Sequence, residues 1–163
     1  MLHVDLRSVD LRNYIIDPAD IDWQPLLAQW AGLLPEEFNL WLVTRFGDQI
    51  LICNDGSVGF FDVGRMSFEN VAASRDDFAD SMDVERNARF VLMSPLADSC
   101  VERGVVLRPG QCYAFKIPPF LGGQYEVSNV YVADVAEYYG FLADLWKQTK
   151  GLPEGSRARL VVK

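Results

Sequence analysis

The chain of 163 residues is short of the side chains that do most enzyme chemistry. Its one histidine, His3, sits at the start, where chain ends are commonly mobile. That argues against Cys-His and Ser-His nucleophilic catalysis and against histidine-rich metal sites. The three cysteines, Cys53, Cys100 and Cys112, are far apart and flanked by apolar residues. An odd, sparse set makes a poor disulfide framework and fits no zinc spacing, so free buried thiols in a reducing compartment are expected. No apolar run approaches the roughly 18 residues of a membrane span, and the start lacks the apolar stretch of a signal peptide. Gly104, Gly110, Gly122 and Gly123 have neither the spacing nor the flanks of a phosphate-binding loop. No catalytic residue, metal or cofactor is assigned.

Basic residues are also few: 15 Lys and Arg face 23 Asp and Glu, for a net charge of −8. That excludes direct nucleic-acid binding as the first expectation, because phosphates call for clustered cations. The imbalance is uneven. Met1 to Glu85 holds 16 acids and 5 bases, and Arg86 to Lys163 holds 7 acids and 10 bases. One acidic face is expected, either merely solvated or meeting a basic partner. The cluster Asp76, Asp77, Asp80, Asp83 and Glu85 lacks the ligand alternation of a calcium loop and reads first as a solvated helix face.

What is present is an ordinary globular composition, 50% hydrophobic and 23% charged. Asp20 to Leu33 carries Trp23, Leu26, Leu27, Trp30 and Leu33 at helical spacing, with Asp20 or Asp22 as cap and Gly32 near the end. Gln49–Cys53 and Val58–Val63 flank Asn54-Asp55-Gly56 and predict an antiparallel hairpin. Ser74 followed by Asp77 predicts a helix start. A helix over Val84–Arg103 is expected to break or bend near Ser94-Pro95 and to end at Gly104. Gln111–Ile117 and Asn129–Val135 read as strands, with Lys116 and Ala114 pointing to solvent. Ala136–Lys150 reads as a helix with Tyr139, Leu142 and Trp146 on one stripe, and Arg157–Val162 as a short edge strand. In each adjacent aromatic pair, Phe60-Phe61 and Tyr138-Tyr139, one ring should face outward or toward another layer. The order predicts an α+β fold, an antiparallel sheet of hairpin strands packed against several helices. The chain is expected to be one domain, with residues 1–33 an N-terminal segment carrying an amphipathic helix.

One run of motifs is more specific. Phe46-Gly47-Asp48, Asp55-Gly56-Ser57-Val58, Phe61-Asp62, Ser74–Phe78, Leu107–Gly123, Asn129–Asp134 and Leu152–Gly155 follow one another in order. This series resembles the C-terminal domain of bacterial type VI secretion immunity proteins, over about Leu33 to Val162. Family members are often preceded by a GAD-like domain, and about thirty residues precede the resemblance here. The resemblance implies a cytoplasmic protein that neutralises a cognate protein toxin, in some members a DNase, by binding and not by catalysis. A partner face would draw on Asp55, Asp76, Asp77, Asp80, Asp83 and Glu85 for charge, and on Phe120 and Tyr125 for aromatic anchors. The other readings are a small carboxylate hydrolase and a stand-alone protein-binding adaptor. A hydrolase would show an apolar pocket with convergent carboxylates.

Overall fold

The computed structural model describes residues 11–157, so His3 and the tail expected as an edge strand, except Arg157, lie outside the described residues. Strands β1 (Phe38–Val43), β2 (Gln49–Cys53), β3 (Val58–Asp62) and β4 (Ser67–Ala72) form an antiparallel sheet in that order. Strands β5 (Gln111–Phe115) and β6 (Val130–Asp134) pair as a separate antiparallel hairpin. With five α-helices around them, this is the expected α+β architecture.

The β2–β3 hairpin follows from its turn. Gly56 has φ +84°, which glycine adopts without penalty, and Asp55 Oδ1 accepts from Ser57 N at 3.0 Å and Ser57 Oγ at 2.6 Å. Along both strands successive side chains enter opposite layers. Ile50, Ile52, Val58 and Phe60 face a cluster with Phe78 and Met82 of α2 (Arg75–Met82) and Ala88, Val91 and Leu92 of α3 (Glu85–Leu92). Leu51, Phe61 and Val63 face the larger cluster with α5 (Val135–Thr149). The pair Phe60-Phe61 is thus split between layers, whereas Tyr138 and Tyr139 are both buried in the larger cluster.

Several elements differ from their sequence expectation. The helix expected over Asp20–Leu33 is α1, Trp23–Ala28 only; turns carry the chain onward, and Gly32 has φ +100°. Its apolar stripe still packs on the core, with Trp30 fully buried. Val84–Arg103 divides into α3 and α4 (Ser94–Glu102) at Met93, whose left-handed φ of 48° ends one helix before Pro95 enters the first turn of the next. Strand β4 had no sequence signal. Ala114 is buried, because β5 is covered on both faces, whereas Lys116, just beyond the strand, is exposed as expected. Ser74 does cap α2, its Oγ accepting from Asp77 N at 3.1 Å. Two thiols, Cys100 and Cys112, are buried, and all three cysteines are free.

Candidate functional site

The turn between β1 and β2 is built around one threonine and one tyrosine. Thr44 Oγ1 accepts from the amides of Phe46 at 3.3 Å and Asp48 at 3.2 Å, while Gly47 takes φ +79°. Tyr139 of α5 donates its hydroxyl to Gly47 O and accepts from Gln49 Nε2 at 2.9 Å. Burial raises the Tyr139 phenol well above its ordinary value, with the nearby Asp48 charge adding to the shift, so it stays a donor. These bonds fix Asp48, which is 1% exposed. Its Oδ1 accepts from Val63 N at 2.9 Å and ties the turn to the end of β3. Its Oδ2 is buried with no hydrogen-bond partner among the described residues.

Asp62, at the end of β3, accepts from Arg65 N at 3.1 Å and closes the next turn. Burial raises Asp48 well above the usual carboxylate range, and the Asp62 charge pushes the same way. Burial also raises Asp62, against the Arg65 amide bond and the Arg65 charge. The two carboxyls are thus electrostatically linked, with Asp48 enclosed and Asp62 only half-buried.

Both line a cleft of about 1050 Å3. One wall comes from α3 and α4, with Arg89, Phe90, Met93, Leu96, Glu102 and Arg103. A second wall is the β5–β6 loop, with Pro119, Tyr125, Glu126 and Val127. Phe90 is 59% exposed and Tyr125 is 50% exposed, although Tyr125 stacks edge-on against Phe115 at 5.5 Å. Arg65 completes the basic part of the lining.

The β5–β6 loop is rigidly specified by its sequence. Asn129 Oδ1 accepts from Ile117 N at 2.9 Å, and Asn129 Nδ2 donates to Ile117 O at 3.0 Å and Gln124 O at 2.9 Å. A Cβ on Gly123 would fall 1.7 Å from Ile117 O, so only glycine fits there. Phe120 N donates to Gly64 O at 3.2 Å, docking the loop on the β3–β4 turn. The Pro-Pro-Phe-Leu-Gly-Gly run and Asn129 are therefore two halves of one clamp that presents Tyr125.

The residues expected at a partner face do not gather in one place. Tyr125 lines the cleft, and Glu85 reaches its rim by pairing with Arg89 at 3.0 Å. Phe120, 47% exposed, lies on the same loop outside the cleft lining. Asp76 and Asp77 occupy the first turn of α2. Asp80 and Asp83 border a separate apolar groove of about 430 Å3 with Trp41, Phe78 and Met82. Asp55 caps its own hairpin turn and lies beside another depression with Glu36 and Glu37. Asp48 and Asp62 were not singled out as site residues, although both stand inside the motifs Phe46-Gly47-Asp48 and Phe61-Asp62. Among the described residues, no group of three or more His, Cys, Asp or Glu could hold a metal ion. No helix there is long and apolar enough to cross a membrane.

Residues 72–146 match the family model described as T6SS immunity protein Tdi1, C-terminal. The matched segment contains Ser74–Phe78, Leu107–Gly123 and Asn129–Asp134, and it is shorter than the Leu33–Val162 span over which the motifs resemble the family. It supplies both walls of the cleft, leaving only Asp48, Asp62 and Arg65 to the segment before it. No curated protein matches the chain. The crystal structure of Atu4351 from Agrobacterium tumefaciens is similar, with a TM-score of 0.51 at 17% identity, over 79% of this chain and 65% of that one. At that identity the likeness shows the fold alone.

Proposed function

We propose that this chain, matched over residues 72–146 by a type VI secretion immunity domain, binds a cognate antibacterial toxin and neutralises it. The family match carries this reading. The face that meets the toxin is the cleft with the β5–β6 loop, because the matched segment builds both walls and leaves two aromatic rings, Phe90 and Tyr125, half out of the protein. Half-exposed aromatics beside charged groups are what interface anchors look like before a partner covers them. Phe120 extends the same face.

The toxin is a nuclease in this reading, supported by the net charge of −8, which complements a protein built to hold phosphates. Asp55, Asp76, Asp77, Asp80, Asp83 and Glu85 then act at a distance, steering encounter more than adding affinity. Three free cysteines, two of them buried, support a reducing, cytoplasmic location. The test is capture of the toxin encoded beside this gene by wild-type protein and by the Phe90→Ala/Tyr125→Ala double variant. Loss of one central aromatic anchor costs about 2 kcal/mol or more, about 30-fold, so the double variant should weaken capture by several hundred-fold (roughly 4 kcal/mol). Equal capture by both proteins would move the interface elsewhere.

A second reading has one observation in its favour. Asp48 and Asp62 converge in a cleft with raised carboxyl pKa values, the arrangement expected of a carboxylate hydrolase. Against it, each carboxylate already holds a turn through a backbone amide. Turnover of glycoside or ester substrates that Asp48→Asn abolishes would favour the enzyme.

A further inference from the structure

We propose that the floor of the cleft is a receptor for one arginine side chain of the partner, its guanidinium seated between Asp48 and Asp62. The inference rests on the toxin-binding reading and names what the toxin must insert. Asp48 Oδ2 is a buried acceptor with no partner among the described residues, a costly arrangement that a donor arriving from outside would relieve. Asp62 adds a second carboxylate whose Oδ1 is engaged by a backbone amide, so both acids are pre-oriented before a ligand comes. Burial raises both groups above the ordinary carboxylate value in the free protein, and a bound cation would favour their ionised forms.

The walls choose among cations. A cleft of about 1050 Å3 is far larger than a bare ion, and Phe90 and Tyr125 offer apolar rings to a side-chain stem. Guanidinium is flat, weakly hydrated and stacks on aromatic faces, which suits this lining better than a compact ammonium does. A hard divalent ion would want six or more oxygens. Arg65, Arg89 and Arg103 on the lining oppose any cation, the guanidinium included, so the two carboxylates must outweigh them, and they would pair with an acid next to the inserted arginine.

The test is a titration of the 15N-labelled full chain with N-acetyl-arginine amide, followed at the Val63 and Arg65 amides, which bond to the two carboxylates. Saturable shifts at both are expected, with N-acetyl-leucine amide and magnesium chloride leaving them unmoved. Asp62→Asn and Asp48→Asn keep an oxygen for each turn amide, and each should weaken the arginine probe by about tenfold. No saturable shift, equal response to the leucine probe, saturation by magnesium alone, or unchanged affinity in both variants would overturn the proposal. The titration uses this chain alone, so its failure removes the arginine receptor and leaves toxin neutralisation to be decided by co-expression.

Discussion

At the scale of single residues, Asp48 makes the sharpest statement about the free protein. An unfolded aspartate titrates near about 3.9, and burial lifts the folded value well above it. Between those two values the folded chain binds the extra proton, so this group's stabilisation is full below the unfolded value and is lost as pH rises through the folded one. Asp62 contributes with the same sign, and Asp55, lowered by its bonds to Ser57, with the opposite sign. Asp48→Asn mimics the protonated acid and does not titrate. Its melting temperature relative to wild type should therefore rise as pH is raised above the unfolded value, as followed by calorimetry; parallel profiles would refute the buried-acid account. Asn129 gives a second residue-scale test. Asn129→Asp keeps the acceptor for Ile117 N but loses both donations and sets a carboxylate against the carbonyls of Ile117 and Gln124. It should cost as much stability in urea as Asn129→Ala, about 1–3 kcal/mol. Sequence reading marked the Pro-Pro-Phe-Leu-Gly-Gly run and the Asn129 motif separately. Their union was not legible, because the three bonds that join them span 5 to 12 residues through space.

At the scale of elements, caps and breaks were readable where a local group enforces them. Ser74 begins α2 because its hydroxyl accepts from Asp77 N, and a Ser-Pro pair stands just after the left-handed residue Met93 that parts α3 from α4. Ser74→Ala should lower stability by about 1 kcal/mol and the melting temperature with it. Strand β4 carries no sequence signal since Glu69, Asn70 and Val71 are exposed, so Ser67–Ala72 shows no buried alternation. What holds it is pairing to β3, where the Phe68 ring covers Gly59 so closely that an added Cβ would lie 2.3 Å from it. The stripe from Trp23 to Leu33 has the spacing of one long helix, because 3- and 4-residue spacing also brings turn residues to the core. Trp30 is buried by a turn, not by helix α1. Asp48 and Asp62 stayed hidden for a related reason: 23 acids give no sign of which two will be enclosed together, and only the pairing of β2 with β3 does that.

At the scale of the whole molecule, the charge division seen in the sequence runs through the cleft. The cleft draws its floor from the acidic half and its walls from the basic half, and the α2 acids border different ground. Charge should therefore govern encounter more than residence. Raising ionic strength from about 0.05 to 0.5 M is expected to slow association with the toxin by about tenfold or more while dissociation changes little, as read by stopped-flow binding. A salt response carried mainly by dissociation would place the acids inside the contact. The central claim, that this chain neutralises a toxin through the cleft face, is tested most directly by growth of cells expressing the adjacent toxin gene. Wild-type protein should restore growth, and the Phe90→Ala/Tyr125→Ala variant, folded to the same melting temperature within a few degrees (about 1 kcal/mol), should not. Restored growth with the variant, or no rescue by the wild type, would contradict it.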